Sequence, residues 1–184
     1  MRIITGSAKG VKLSSLDGLT TRPTSEMVKE AIFSAIQFHV FGARVLDLFG
    51  GSGQLALEAL SRGAESAVIV DNEKKAAEII RANAMKTKLF DRVRVHCADW
   101  KAFLKTAAGK DRFSLVFLDP PYKDGFIDEV LKKIFDADIL SDDAIIVCES
   151  AEGGIPTPRD DFSAKLYRYG KTFVTIIKSA DLDA

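Results

Sequence analysis

The sequence predicts an α/β fold: a mostly parallel sheet with helices on both faces, extended at one edge by an antiparallel hairpin. Three observations carry this. From residue 44 onward, short apolar runs alternate with stretches of helical period. Most of those runs are apolar at successive positions, as strands covered on both faces must be. The chain then closes with two strand-like segments separated by Gly170. Strands separated by helical stretches imply right-handed βαβ units, whereas two strands joined by a tight turn pair antiparallel.

Residues 44–48 read as the first core strand, followed by a glycine-rich turn and a helix over 54–61. Further strands are expected at 67–70, 93–97, 114–118 and 144–148, with helices at 73–85, 102–107 and 126–135 between them. Segments 164–169 and 171–177 form the hairpin. The stretch 151–162, with Gly153, Gly154, Pro156 and Pro158, is a loop. Residues 1–43 do not follow the alternation. Segments 2–4 and 11–13 read as a small hairpin, and 24–38 repeats Met27, Val28, Ala31, Ile32, Ala35 and Ile36 at helical period, with Thr24 or Ser25 as its cap. The expected division is an N-terminal appendage, 1–43, and a core, 44–184. Met27, Val28, Phe33, Phe38 and Phe41 are expected in the interior.

Composition narrows the function. Lys+Arg and Asp+Glu both number 26, so the whole chain carries no basic footprint for nucleic acid. Any such signal must be local: Arg2, Lys9, Lys12, Arg22, Lys29 and Arg44 against Asp17, Glu26 and Glu30 give residues 1–44 a balance of 6 − 3 = +3. Cys97 and Cys148 lie far apart without a CxxC, and His39 and His96 are the two histidines, so neither a metal site nor a disulfide framework is expected. With no cleavable signal, membrane-length apolar run or lipidation motif, a cytoplasmic protein without membrane contact is expected.

Asp119-Pro120-Pro121-Tyr122 follows the apolar run 113–118 directly, where a buried strand should end. At a frequency of about 5% per residue, such a tetrapeptide arises by chance on the order of once in a thousand chains of this length. A strand stop accounts for one proline. All four residues together make a rigid rim presenting a carboxylate, fixed carbonyls and an aromatic face to a planar amine.

The turn after the first strand, Asp47-Leu48-Phe49-Gly50-Gly51-Ser52-Gly53, sits where open parallel sheets bind ligands. Gly51-Ser52-Gly53-Gln54-Leu55-Ala56 also satisfies G-x-G-x-x-A, with Asp71 at 71 − 51 = 20 residues on, so a dinucleotide reading is formally open. Asp47 separates the alternatives. A carboxylate there opposes a pyrophosphate but suits the amino group of a bound amino acid. Asp71 and Asp99 close later strands, where they can meet ribose hydroxyls and an adenine amine; as helix caps they would serve the fold instead. A ligand with adenosine at one end and a cationic amino acid at the other is S-adenosylmethionine, and Trp100 could flank its adenine.

These two motifs together resemble the class I S-adenosylmethionine-dependent amino-methyltransferases. More narrowly, Arg2-Ile3-Ile4-x-Gly6, Gly10-x-Lys12-Leu13, Thr21-Arg22-Pro23-Thr24 and Glu30-Ala31-Ile32-Phe33 resemble the RsmD family. Three positions depart from the family's usual residues: Gly50 for Ala, Lys29 for Arg and Asp71 for Glu. The resemblance implies a Rossmann-like fold with a seven-stranded sheet, and methylation of the exocyclic N2 of one guanine in bacterial 16S ribosomal RNA, of the guanine-966 type. Its partner would be that RNA, within a small-subunit particle. The cofactor would sit among Asp47, Phe49, Gly51, Gly53, Asp71, Asn72, Asp99 and Trp100. Asp119, Pro120, Pro121 and Tyr122 would hold the amine, and Arg2, Lys9, Lys12 and Arg22 would meet RNA phosphates. Lys29, if it reached RNA, would lack the bidentate geometry of an arginine. The same motifs also fit transfer to adenine N6 or a protein glutamine amide. From other classes, a non-catalytic nucleotide-binding module or a dinucleotide-dependent oxidoreductase remains.

Overall fold

Apolar runs flanked by helical stretches become strands β1 (Arg44–Asp47), β2 (Ser66–Asp71), β3 (Val93–Cys97), β4 (Phe113–Leu118), β5 (Leu140–Ser150), β6 (Phe162–Tyr169) and β7 (Thr172–Ser179) in the computed structural model. The structure describes residues 1–15, 25–120, 126–151, 153, 154, 156 and 159–179. The strands form one sheet in the order β3-β2-β1-β4-β5-β7-β6. The first five pair parallel, and β7 pairs antiparallel with both β5 and β6. The chain reverses direction across the sheet between β1 and β4, which opens a crevice at their carboxyl ends. The predicted α/β architecture with its closing hairpin is therefore what the chain adopts.

Helices α1 (Glu26–Ala35), α2 (Gln54–Ser61) and α3 (Lys74–Lys86) share one apolar core with one face of the sheet. Helices α4 (Trp100–Ala107) and α5 (Phe126–Asp136) share the core of the opposite face. No helix of the described residues is long and apolar enough to cross a membrane.

Several boundaries differ from the sequence reading, each for a local reason. Strand β5 starts at Leu140 rather than 144, although Ser141-Asp142-Asp143 looks unlike a strand. The side chains of Asp142 and Asp143 face solvent, and the Ser141 hydroxyl donates to the Phe113 carbonyl at 3.1 Å. The expected N-terminal hairpin is reduced to one antiparallel bridge, Arg2 with Lys12. Here the amides of Ile4 and Thr5 donate to the Glu58 carboxylate, at 2.8 and 3.0 Å, instead of to a neighbouring strand. Helix α1 is shorter than expected. It is capped by Ser25, whose hydroxyl accepts from the Val28 amide at 3.2 Å, and ends at Ala35 before a 3-10 turn, Gln37–His39. Thr24 lies outside the described residues.

The aromatic expectation for this region needs correction. Phe33 and Val28 are buried, but Met27, Phe38 and Phe41 are 66%, 87% and 85% exposed. Met27 falls off the buried stripe formed by Val28, Lys29, Ile32 and Phe33, and the 3-10 turn carries Phe38 away from the sheet. The condition set for Lys29 is not met. This side chain is fully buried, its Nζ donates to the Arg2 carbonyl at 2.6 Å and pairs with Glu58 at 3.4 Å, so it reaches no RNA.

The N-terminal segment is stitched to α2. Ser61 accepts from the Ala8 amide at 3.0 Å through its hydroxyl and from the Ser7 amide at 2.8 Å through its carbonyl, while its hydroxyl donates to the Thr5 carbonyl at 2.6 Å. Gly6 makes this approach possible. Its φ is +87°, and a Cβ there would lie 1.8 Å from the Ser61 carbonyl oxygen, so only glycine fits.

Candidate functional site

Sheet order rearranges the acidic residues. In sequence they run Asp47, Asp71, Asp99, Asp119; across the adjacent strand ends of β3, β2, β1 and β4 they run Asp99, Asp71, Asp47, Asp119. With neighbouring strands about 4.8 Å apart, the row spans roughly 14 Å, the scale of an extended nucleoside conjugate.

Each carboxylate is held differently. Asp47 is 2% exposed, and its Oδ1 accepts from the Phe49 amide at 3.4 Å. Burial pushes its carboxyl up to about 7; the Asp71 charge adds to this, and the Phe49 amide opposes it. Asp71 joins two loops: Oδ2 accepts from the Gly51 amide at 2.8 Å, and Oδ1 from the Glu73 amide at 2.9 Å. It is therefore not the cap of α3, a position taken by Glu73 without a side-chain bond. Asp99 does cap α4, with Oδ1 accepting from Lys101 at 2.9 Å and Ala102 at 3.2 Å. Asp119 is half-buried one residue beyond β4, and Pro120 is buried behind it. Pro121 and Tyr122 lie outside the described residues, as does Arg22.

The Asp47 value has a sign that can be tested. Its folded value of about 7 exceeds the ordinary 3.8, so between those values the folded chain holds a proton that the unfolded chain has released. The stability this contributes is fully present below the unfolded value and is lost as pH rises through the folded one. Urea unfolding at pH 5 and pH 8 should show wild type losing more stability with rising pH than Asp47→Asn. Equal losses would mean that Asp47 is ionised throughout.

The glycine turn is built for close approach. Gly51 and Gly53 have φ of +53° and +77°, and a Cβ on Gly51 would meet nothing within 4 Å, so the turn presents open backbone. Gly50 is different: a Cβ there would lie 2.4 Å from Ile69 Cγ2 and 3.0 Å from Ile80 Cδ1, so neighbouring bulk occupies the space an alanine methyl would need. Phe49, Trp100 and Phe126 form a three-ring cluster, with centroids 5.7 to 6.3 Å apart. Trp100 is 8% exposed, so it forms part of a wall and is not a free stacking surface. Asn72 is exposed beside Asp71.

Arg2, Lys9 and Lys12 are exposed on the N-terminal arm. Arg2 and Lys12 are bridge partners, and Arg2 Nε donates to Glu26 at 3.1 Å. Lys9 lies in the arm's turn, next to the residues bound to Ser61. Among the described residues no group of acidic, histidine or cysteine side chains could hold a metal ion, and both cysteines are free.

Residues 1–178 match the family model described as Conserved hypothetical protein 95. The chain is also 35% identical over 158 residues to the Ribosomal RNA small subunit methyltransferase D of Escherichia coli, covering 85% of this chain and 78% of that protein. The chain belongs to the RsmD family. A further relative is YlbH of Bacillus subtilis, which carries a provisional rRNA-methyltransferase name and is 40% identical over 97% of this chain and 98% of its own length. A solved Escherichia coli structure, yhhF, provisionally titled a methyltransferase, superimposes with a TM-score of 0.86 at 33% identity, covering 97% of each chain. An O-methyltransferase of Bacillus cereus solved with SAH shares the fold, with a TM-score of 0.71 at 14% identity.

Three residues of this RsmD-family chain escaped the sequence reading. Phe126 opens α5 and completes the aromatic cluster, but nothing in its neighbourhood marked it. Glu58 carried a signal that could have found it, as the lone charged residue of the helix Gln54–Ser61. Asn83 lay in an ordinary helical pattern, and only its partners reveal it.

Proposed function

We propose that this chain transfers the methyl group of S-adenosylmethionine to the exocyclic N2 amine of a guanine in 16S ribosomal RNA, presented within a small-subunit particle. The observation that carries this reading is the order of groups along the sheet edge. Asp99, Asp71 and Asp47 follow the order adenine, ribose, amino acid, and Asp119 stands next to the last of them. The open turn at Gly51, the neighbouring Asn72 and Gly53, and the aromatic wall of Phe49 and Trp100 fit an adenosine-bearing ligand. A dinucleotide fits less well, because Asp47 in its ionised form would oppose a pyrophosphate, whereas a cationic amino group would stabilise that form.

The cofactor supplies a methyl group activated on a sulfonium. The chain supplies orientation. A guanine amine is a weak nucleophile because its lone pair is delocalised into the ring. The Asp119 carboxylate and the Pro120 carbonyl accept its two hydrogens, which turns the lone pair toward the methyl carbon. When bound, S-adenosylmethionine would give up its methyl group to that nitrogen while its sulfur kept the C–S electron pair, and Asp119 or water would take the released proton. Pro121 stiffens the rim and Tyr122 stacks on the base, so catalysis rests on positioning and preorganised charge. An N2 edge is engaged in a helix, so the nucleotide must be unpaired or extruded.

Residues 1–43 serve as the RNA-contacting part and residues 44–184 as the cofactor-binding core, with Arg2, Lys9, Lys12 and Arg22 on phosphates. Arg22→Ala combined with Lys12→Ala should weaken RNA binding and flatten its salt dependence by up to about two units of slope, with cofactor affinity unchanged. Parallel lines across a salt series would remove these side chains from the interface.

The deciding experiment uses small subunits from cells lacking this protein, labelled S-adenosylmethionine and the purified chain, with the modified nucleotide identified by mass spectrometry. N2-methylguanine at one site supports the reading. Label on adenine N6 or on a protein glutamine supports the other planar-amine substrates.

A further inference from the structure

The glycine turn and the N-terminal arm meet at one buried side chain. Asn83, 1% exposed on α3, donates through Nδ2 to the Ser52 carbonyl in the turn and to the Ser14 carbonyl in the arm, both at 2.9 Å. Its Oδ1 accepts from the Ser14 amide at 2.8 Å. Both amide hydrogens and one acceptor position are thus used, and at 1% exposure water cannot replace them. A separate contact runs the same way: the Ser52 hydroxyl lies 3.4 Å from Met1 Sδ. The arm is also bonded to α2, the helix whose N-cap is Gly53, through Glu58 and Ser61. Thus the arm is joined to both helices that flank the turn.

We propose that Asn83 is a positioning residue that couples the N-terminal arm to the glycine turn, so that a ligand held at the turn orders the arm that receives the substrate. This rests on the cofactor reading above. One carboxamide shared between two backbone segments transmits a change in either, and the coupling must be equal in both directions. A ligand fixing the Ser52 peptide fixes the Asn83 amide, and through it the Ser14 peptide. No direct contact between cofactor and arm is needed.

Hydrogen exchange of the full chain, with and without S-adenosylhomocysteine, tests this. In wild type the ligand should slow exchange of amides in residues 1–15 by about fivefold or more, the lower end of ordinary coupling. In Asn83→Ala the ligand should still bind, while arm exchange becomes the same with and without it. A merely structural role would raise exchange equally in both states and leave the ligand-induced difference intact. Ser14→Pro is the second variant, because it takes the arm-side amide from Asn83 Oδ1 through a change confined to the arm, with α3 and the turn unaltered in sequence; it should shrink the difference as well. Ligand binding to wild type with no change in the arm overturns the coupling and leaves the cofactor reading standing. A full ligand-induced difference in both variants overturns the role of Asn83. Absence of S-adenosylhomocysteine binding to wild type, by calorimetry, overturns the cofactor reading and the coupling with it.

Discussion

Asp119→Ala should lower the rate of methyl transfer by at least ~10²-fold while leaving the fold and cofactor affinity close to wild type. This is the scale of losing a preorganised acceptor aimed at charge that develops in the transition state. Asp119 stands one residue past β4, half-buried beside a buried proline, so its removal leaves the strand pairing of β4 with β1 and β5 intact. Single-turnover rates at saturating cofactor, paired with calorimetry of S-adenosylhomocysteine, separate the two effects. A near-normal rate in the variant would remove the motif from the mechanism.

Glu58→Ala should give the largest loss of stability, about 3–5 kcal/mol, as expected when one partner of a buried charge pair is removed. Glu58 and Lys29 are both fully buried, and the carboxylate also takes the Ile4 and Thr5 amides and Arg62 Nε, the last at 2.8 Å. Removing it strands an ammonium and two amides. Burial already holds the Lys29 ammonium below its ordinary pKa, and Glu58 is the main influence in the other direction. The double variant Glu58→Gln with Lys29→Met should recover part of the loss, because it leaves no buried charge without a partner. Urea midpoints for the three proteins give the answer. A loss under about 1 kcal/mol for Glu58→Ala would mean that the cluster is not a single unit.

Much of the fold was legible because strands and helices here obey simple periods. Helix 54–61 and strand 93–97 emerge as read: a glycine turn marks the start of the helix, and Val93, Val95 and Cys97 alternate with Arg94 and His96 at the period of an edge strand. The start of β5 was illegible: Ser141, Asp142 and Asp143 lie in an irregularity between the pairs Phe113–Leu140 and Leu115–Ile145, tied by the Ser141 hydroxyl, which periodicity does not register. The carboxylates of the candidate site could be named from the sequence, but not their order, because order belongs to strand pairing. Phe38 and Phe41 misled for a related reason. A phenylalanine signals burial only where the local backbone turns it inward; the 3-10 turn at Gln37–His39 carries Phe38 outward, and Phe41 in the loop beyond it is exposed as well. The N-terminal motifs resemble a family signature, with RNA contact expected of Arg2, Lys9, Lys12 and Arg22. Two other residues of this region hold the chain to itself: Gly6 against Ser61, and Lys29 against Glu58.

The row of carboxylates along the edge of β3, β2, β1 and β4 also bears on turnover. S-adenosylmethionine enters with a positive sulfur, and the thioether left after transfer has none. In the proposed site, negative charge along this edge would hold the reactant more firmly than the spent product, and methyl transfer itself would weaken the grip. The same field repels a phosphodiester chain. An RNA strand would keep its backbone away from the crevice and send in only a base, so the edge would discriminate between polyanion and nucleobase before any hydrogen bond forms.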